Sequence, residues 1–229
     1  MHSLYSFLLS EIVFIPFCVA LFRWRRIDKA YYPFCILLGL GTVQEIISYF
    51  IIHWLHHSNA ASVNIDGLLE CSLILFQFYY WNSFSGGRKI LSIFLVASLG
   101  LWATCNLFLP HLNDWDFPLY RILYAFLIVI LSINEINLMI THDNRNLYKN
   151  ARFIICLGFI TFFLYQILYE GAFFVSGVDK TEVVSNQIIS LFSGVNAFVN
   201  CLYLVAVWLI PRRRSSDFER IFERIRSES

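Results

Sequence analysis

The sequence predicts an all-α polytopic membrane protein: seven transmembrane helices, N-terminus outside and C-terminus inside, then a short cytoplasmic amphipathic helix. Hydrophobic residues make up 58% of the 229 and charged residues only 14%, with a mean hydropathy of +0.63. A soluble domain carries about 25% charged residues. The apolar residues gather in runs of about 20, the length that crosses bilayer hydrocarbon as a helix. Lysine and arginine fall on alternate connections between these runs, which sets the orientation.

Span one is read at 4–22. Arg23, Arg25 and Arg26 follow its apolar run and no positive side chain precedes it, the reverse of a secretion signal, so the segment is expected to stay as a span. Further spans are read at 31–54, 65–81, 90–109, 117–140, 152–175 and 183–210. The fourth is the plainest, with no charged residue from Ile90 to Leu109 and Pro110 as a helix stop. Residues 1–211 thus form the transmembrane domain and 212–229 a basic tail.

After spans one, three, five and seven come Arg23, Arg25, Arg26 and Lys29; Arg88 and Lys89; Arg145, Lys149 and Arg152; and six arginines beyond Pro211, leaving only Arg121 and Lys180 for the other side. By the positive-inside rule the former side is cytoplasmic. Trp24, Trp54, Trp81, Trp115 and Trp208 lie at span ends, as an aromatic belt requires, with Trp102 the exception.

Acidic residues inside such spans are costly and mark functional sites by default. Span three carries Asp66, Glu70 and Gln77 at intervals that place them on one helical face. At 1.5 Å per residue, Glu70 and Glu170 lie roughly 8 to 9 Å below the outer surface, Glu11 roughly 12 Å below it and Glu45 near the midplane. Asp66 and Glu182 are close to the surface. Arg121 enters from the same side, with Asn186, Gln187, Gln44, Gln166, Tyr165 and Tyr169 in the same layer. The expected site is an outward-facing acidic pocket made of Glu45, Glu70, Arg121, Glu170, Asp66, Asn186, Gln77 and Tyr169. It suits a small cationic ligand or protons, with Arg121 pairing one acid or gripping an anionic group. The bland alternative is that each acid is interhelical glue.

Other polar clusters carry less. His53, His56 and His57 share a helical face in HWLHH, and His111, Asp114 and Asp116 sit in another outer loop. Loop-end histidines are usually solvated and no HExxH accompanies them, so neither a metal nor any other cofactor is expected. The six cysteines all fall in spans without CxxC spacing, which implies no disulfide. No histidine lies deep in a span to serve a nucleophile, so the chain is not expected to be an enzyme. On the inner side, Asn134, Glu135 and Asn137 either transmit a change between helices or pair with Arg145 or Arg152.

In the tail, Phe218, Ile221, Phe222 and Ile225 recur at helical spacing behind Arg212 to Arg214. This amphipathic face is expected on the anionic inner leaflet, its competing use being a cytoplasmic protein partner.

Seven spans, an outside N-terminus, RWRR straight after span one, Glu45 in span two and FYYW ending span three together resemble the seven-helix sensor modules that precede bacterial histidine kinases. The resemblance implies a receptor-like or sensory membrane protein. No kinase follows the tail, so signalling is expected through a separate cytoplasmic partner. Microbial rhodopsins share the topology, but span seven has no lysine for a retinal Schiff base. The rival expectation is a small-molecule or cation transporter of three-plus-one-plus-three helices, with span four as the linker. The expected location is the plasma or inner membrane, and no nucleic-acid partner is expected.

Overall fold

The structure, a computed structural model, describes residues 11–84, 86–108, 118–142, 147–175 and 182–212, with side chains for 12–84, 86–108, 118–141, 147–171 and 191–212. Seven α-helices run through them: α1 (Phe14–Arg23), α2 (Tyr32–His53), α3 (Ala60–Tyr80), α4 (Arg88–Ala103), α5 (Leu119–His142), α6 (Ala151–Val175) and α7 (Glu182–Leu209). Six of them, α2 to α7, hold stretches long and apolar enough to cross a membrane. The fold is therefore that of a multi-pass helical membrane protein. Residues 1–10, with the first part of span one, the loop with His111, Asp114 and Asp116, and the tail from 213 lie outside the described residues, as do Arg145 and Lys180.

Local chemistry explains the helix ends. Pro33 occupies the first turn of α2, where its missing N–H costs nothing. Asn150 accepts from the Arg152 N–H at 3.0 Å and so caps α6. Gly87 at φ +55° precedes α4, a conformation that glycine adopts without strain. Helix α3 begins at Ala60, five residues before the expected 65, because Ser58 accepts from the Ala60 N–H and the polar Asn59 and Ser62 are tied into the first turn. Past Ala103, α4 continues as a π-helix over Thr104–Phe108. Thr104 and Asn106 there bond the carbonyls of Gly100 and Trp102 four residues back, competition that disturbs a regular ladder.

The helices close into a ring in the order α1, α2, α3, α5, α6, α7 and back to α1, while α4 packs on α3 and α5 outside it. Within the ring an aromatic layer fills the centre: Phe34 stands 5.3 Å from Tyr203, Phe159 6.0 Å from Tyr203, and Phe78 6.3 Å from Phe159. Gly158 makes room for this layer, since a Cβ there would come within 2.4 Å of the Tyr203 ring. Large apolar side chains such as Ile46, Val96, Ile130, Leu168 and Phe198 are exposed on the outer faces, as a lipid-facing surface requires.

The basic connections meet at one end of the bundle. Arg23 at the end of α1 donates to the carbonyls of Val207, Trp208 and Ile210, covering the acceptors left open at the α7 C-terminus. The Asp28 N–H donates to Pro211. Arg152 stands 3.9 Å from Glu135 and reaches the Trp81 carbonyl, while Ser83 donates to Glu135 at 2.5 Å. Glu135 is thus paired with Arg152, one of the two arginines expected for it.

Trp102, the exception to the belt, donates its indole N–H to the Asn64 carbonyl at 2.8 Å, fastening α4 to α3. One sequence expectation changes here. Gln77, expected in the pocket, is fully buried below it. Its oxygen accepts from the Phe34 N–H at 2.8 Å and its amide donates to Ala30 at 2.6 Å. Phe34 sits in the first turn of α2, where no local side chain caps the helix, so a residue of another helix satisfies that orphan donor. Gln77→Leu should therefore lower unfolding stability in detergent by about 1–3 kcal/mol, the usual cost of leaving a buried backbone group unpaired. A variant as stable as the parent protein would remove this capping role.

Candidate functional site

Above the aromatic layer, on the side away from the basic end, lies a cavity of about 480 Å³ whose lining comes from α2, α3, α5, α6 and α7, with Val13 from the turn before α1. No α4 residue is part of it. Helical spacing selects the lining residues. On α3, Val63, Asp66, Gly67 and Glu70 share a face, as do Phe159, Phe163, Gln166 and Glu170 on α6 and Asn196, Val199, Asn200 and Tyr203 on α7. The cavity reaches His53 and Asn59, which flank the α2–α3 connection, so it extends to that end of the bundle.

Arg121 anchors the site. Its Nη2 donates to one carboxylate oxygen of Glu170 at 3.0 Å and its Nη1 to Asn64 Oδ1 at 2.9 Å, while its Nε stands 2.8 Å from the other Glu170 oxygen as an ion pair. The two side chains are only 3% and 9% exposed. Such side-on pairing sets the planar guanidinium against the carboxylate and, with Asn64, joins α3, α5 and α6. One turn along α5 from Arg121, Tyr124 donates to Glu70 Oε2 at 2.8 Å and accepts from the Gln166 amide at 3.2 Å. Gly67 permits this approach, because a Cβ there would press on the Tyr124 ring at 3.3 Å.

The second cluster is acidic. Asp66 lies within electrostatic reach of Glu45, and Glu70 of Asp66. Asp66 Oδ1 is buried with no hydrogen-bond partner among the described residues. Nearby, the Gln44 amide donates to Ser48 and Ser62 at 3.2 and 3.0 Å, and the Asn59 amide donates to Ser48 at 2.9 Å, which positions the α2 face that carries Glu45. The lining holds four carboxyl groups, Glu45, Asp66, Glu70 and Glu170, against Arg121 as its sole lysine or arginine among the described residues. Arg121 pairs with Glu170, while Asp66 and Glu70 line the α3 side of the same cavity.

Of the expected site residues, the structure brings Glu45, Asp66, Glu70, Arg121, Tyr169 and Glu170 to one cavity and leaves Gln77 out. Asn186 lies on α7, its side chain outside the described residues. Tyr124, Asn196, Asn200 and the aromatic wall of Phe159, Phe163 and Phe192 were not expected there, nor was Asn64 as a partner of Arg121. Tyr124 was signalled by its position three residues after Arg121, and the α7 asparagines by their four-residue spacing. His53 bonds the Tyr49 carbonyl at 3.1 Å and stacks on its ring. Among the described residues no group of three or more His, Cys, Asp and Glu is placed to hold a metal ion. No protein-family model matches this chain, and no curated protein or solved structure does either.

The ion pair makes a quantitative expectation. Arg121→Leu leaves Glu170 buried without its counter-charge and should cost about 3–5 kcal/mol of stability, whereas adding Glu170→Leu should restore most of it. Chemical unfolding of the three proteins in one detergent checks this. A harmless single variant would contradict the pairing.

Proposed function

We propose that the chain is a receptor-like or sensory membrane module that binds a small organic cation in the polar cavity and passes the bound state to a separate cytoplasmic partner. The observation that carries the reading is the buried Asp66 oxygen without a hydrogen-bond partner among the described residues, beside Glu70, in a cavity whose arginine pairs with Glu170. Buried acceptors of this kind are costly unless something bonds or balances them. A cavity of about 480 Å³ falls in the range of small-molecule sites, and its aromatic wall suits the apolar body of an ammonium ion. In this reading the basic end faces the cytoplasm by the positive-inside rule and the cavity faces outward. The aromatic layer of Phe34, Phe78, Phe159 and Tyr203 below the cavity supports binding over passage.

A second reading, a transporter of three-plus-one-plus-three helices, is supported by the place of α4 outside the ring, between the two triplets that surround the cavity. Tetraethylammonium separates the two readings, since this permanent cation does not cross a bilayer unaided. The sensory reading expects it to raise the unfolding temperature of the purified chain beyond sodium chloride at equal ionic strength. Asp66→Asn/Glu70→Gln should remove the gain while leaving the fold intact, and reconstituted vesicles should show no uptake. Uptake lost with Glu70→Gln would establish the transporter. No gain over sodium chloride would end the cation site.

A further inference from the structure

At the basic end, the junction of α1 and α7 forms a separate groove of about 660 Å³, lined by Cys18, Val19, Phe22, Arg23, Arg26, Trp208 and Arg212. The chain is locked at this place. Ile27 and Arg212 form an antiparallel bridge, Asp28 bonds Pro211, and Arg23 is fixed to three α7 carbonyls with its guanidinium 5.5 Å from the Trp208 ring centre. Arg26 and Arg212 are thereby held on one rigid corner, both exposed and without a carboxylate partner among the described residues. Phe22 and Trp208, 91% and 71% exposed, supply the apolar side of the same groove. Two cations above two exposed rings at a helix end make an amphiphilic pattern. It matches a phosphate group joined to hydrocarbon chains, with the guanidiniums at headgroup level and the rings beside the upper acyl segments.

We propose that this groove is a binding site for one anionic glycerophospholipid, its phosphate held by Arg26 and Arg212 and an acyl chain lying along Phe22 and Trp208. The site is independent of the cavity, which shares no residue with it. A lipid bound there would brace the joint that closes the ring between the first and last helices.

The full chain, purified in a neutral detergent and stripped of lipid, is heated with dioleoylphosphatidylglycerol, with dioleoylphosphatidylcholine, or with inorganic phosphate. The site predicts several degrees more stabilisation by phosphatidylglycerol than by phosphatidylcholine, and none by phosphate at the same concentration. Arg26→Gln/Arg212→Gln should abolish that difference and Arg26→Lys/Arg212→Lys should keep most of it, while Arg88→Gln/Lys89→Gln, at the same end but outside the groove, should leave it whole. Equal effects of the two lipids would overturn the proposal, as would loss of the difference in the Arg88 and Lys89 variant, which would mean diffuse charge attraction. Equal stabilisation by phosphate would also overturn it, in favour of a free-anion site.

Discussion

The ion pair between Arg121 and Glu170 is the constraint on which the upper half of the bundle depends. A guanidinium in a spanning helix is tolerated only where its charge is balanced, and here a carboxylate from α6 and an amide from α3 lie 2.8 to 3.0 Å from its nitrogens. That requirement fixes three helices at one depth. It also shapes the electrostatics of the cavity, whose lining holds four carboxyl groups and one arginine among the described residues.

The same logic of partners drawn from distant helices runs through the molecule. Gln77 caps α2 from α3, Trp102 fastens α4 to α3, Arg23 closes α7 from α1, and Arg152 joins Glu135 of α5 to the end of α3. In lipid, helices gain little from burying apolar surface against one another, so packing and polar contacts hold them together. Aromatic packing does the rest, with Phe34, Phe78, Phe159 and Tyr203 as a central layer. The ring is thus packed with aromatic side chains below and lined by polar groups above.

Much of this was legible in the residues. Apolar run length located α2 to α7 within about five residues, since the bilayer dictates span length, and the layer of intramembrane acids pointed to one site. What failed was the step from helical face to partner. Gln77 does lie on the face of Glu70, but it is two turns deeper, level with the start of α2 rather than with the cavity. Trp102 broke the belt pattern because its partner, a carbonyl of another helix, has no signature in sequence. Tyr124 was overlooked as one aromatic residue among many, although its place beside Arg121 makes it the link between Glu70 and Gln166. The Arg121 partner was left open as an acid or an anionic ligand, and only three-dimensional proximity selects Glu170.

The central claim is that the cavity is a watery, cation-attracting site rather than a packed set of interhelical bonds. The most direct test places a cysteine at Val63, which lines the cavity, in a chain whose six native cysteines are replaced by serine or alanine. Its rate of modification by a cationic and by an anionic methanethiosulfonate is then compared in lipid nanodiscs. Field focusing in an acidic cleft predicts at least about tenfold faster reaction with the cationic reagent, reduced towards equality by Asp66→Asn/Glu70→Gln. Equal rates with both reagents, or no reaction with either, would contradict the account.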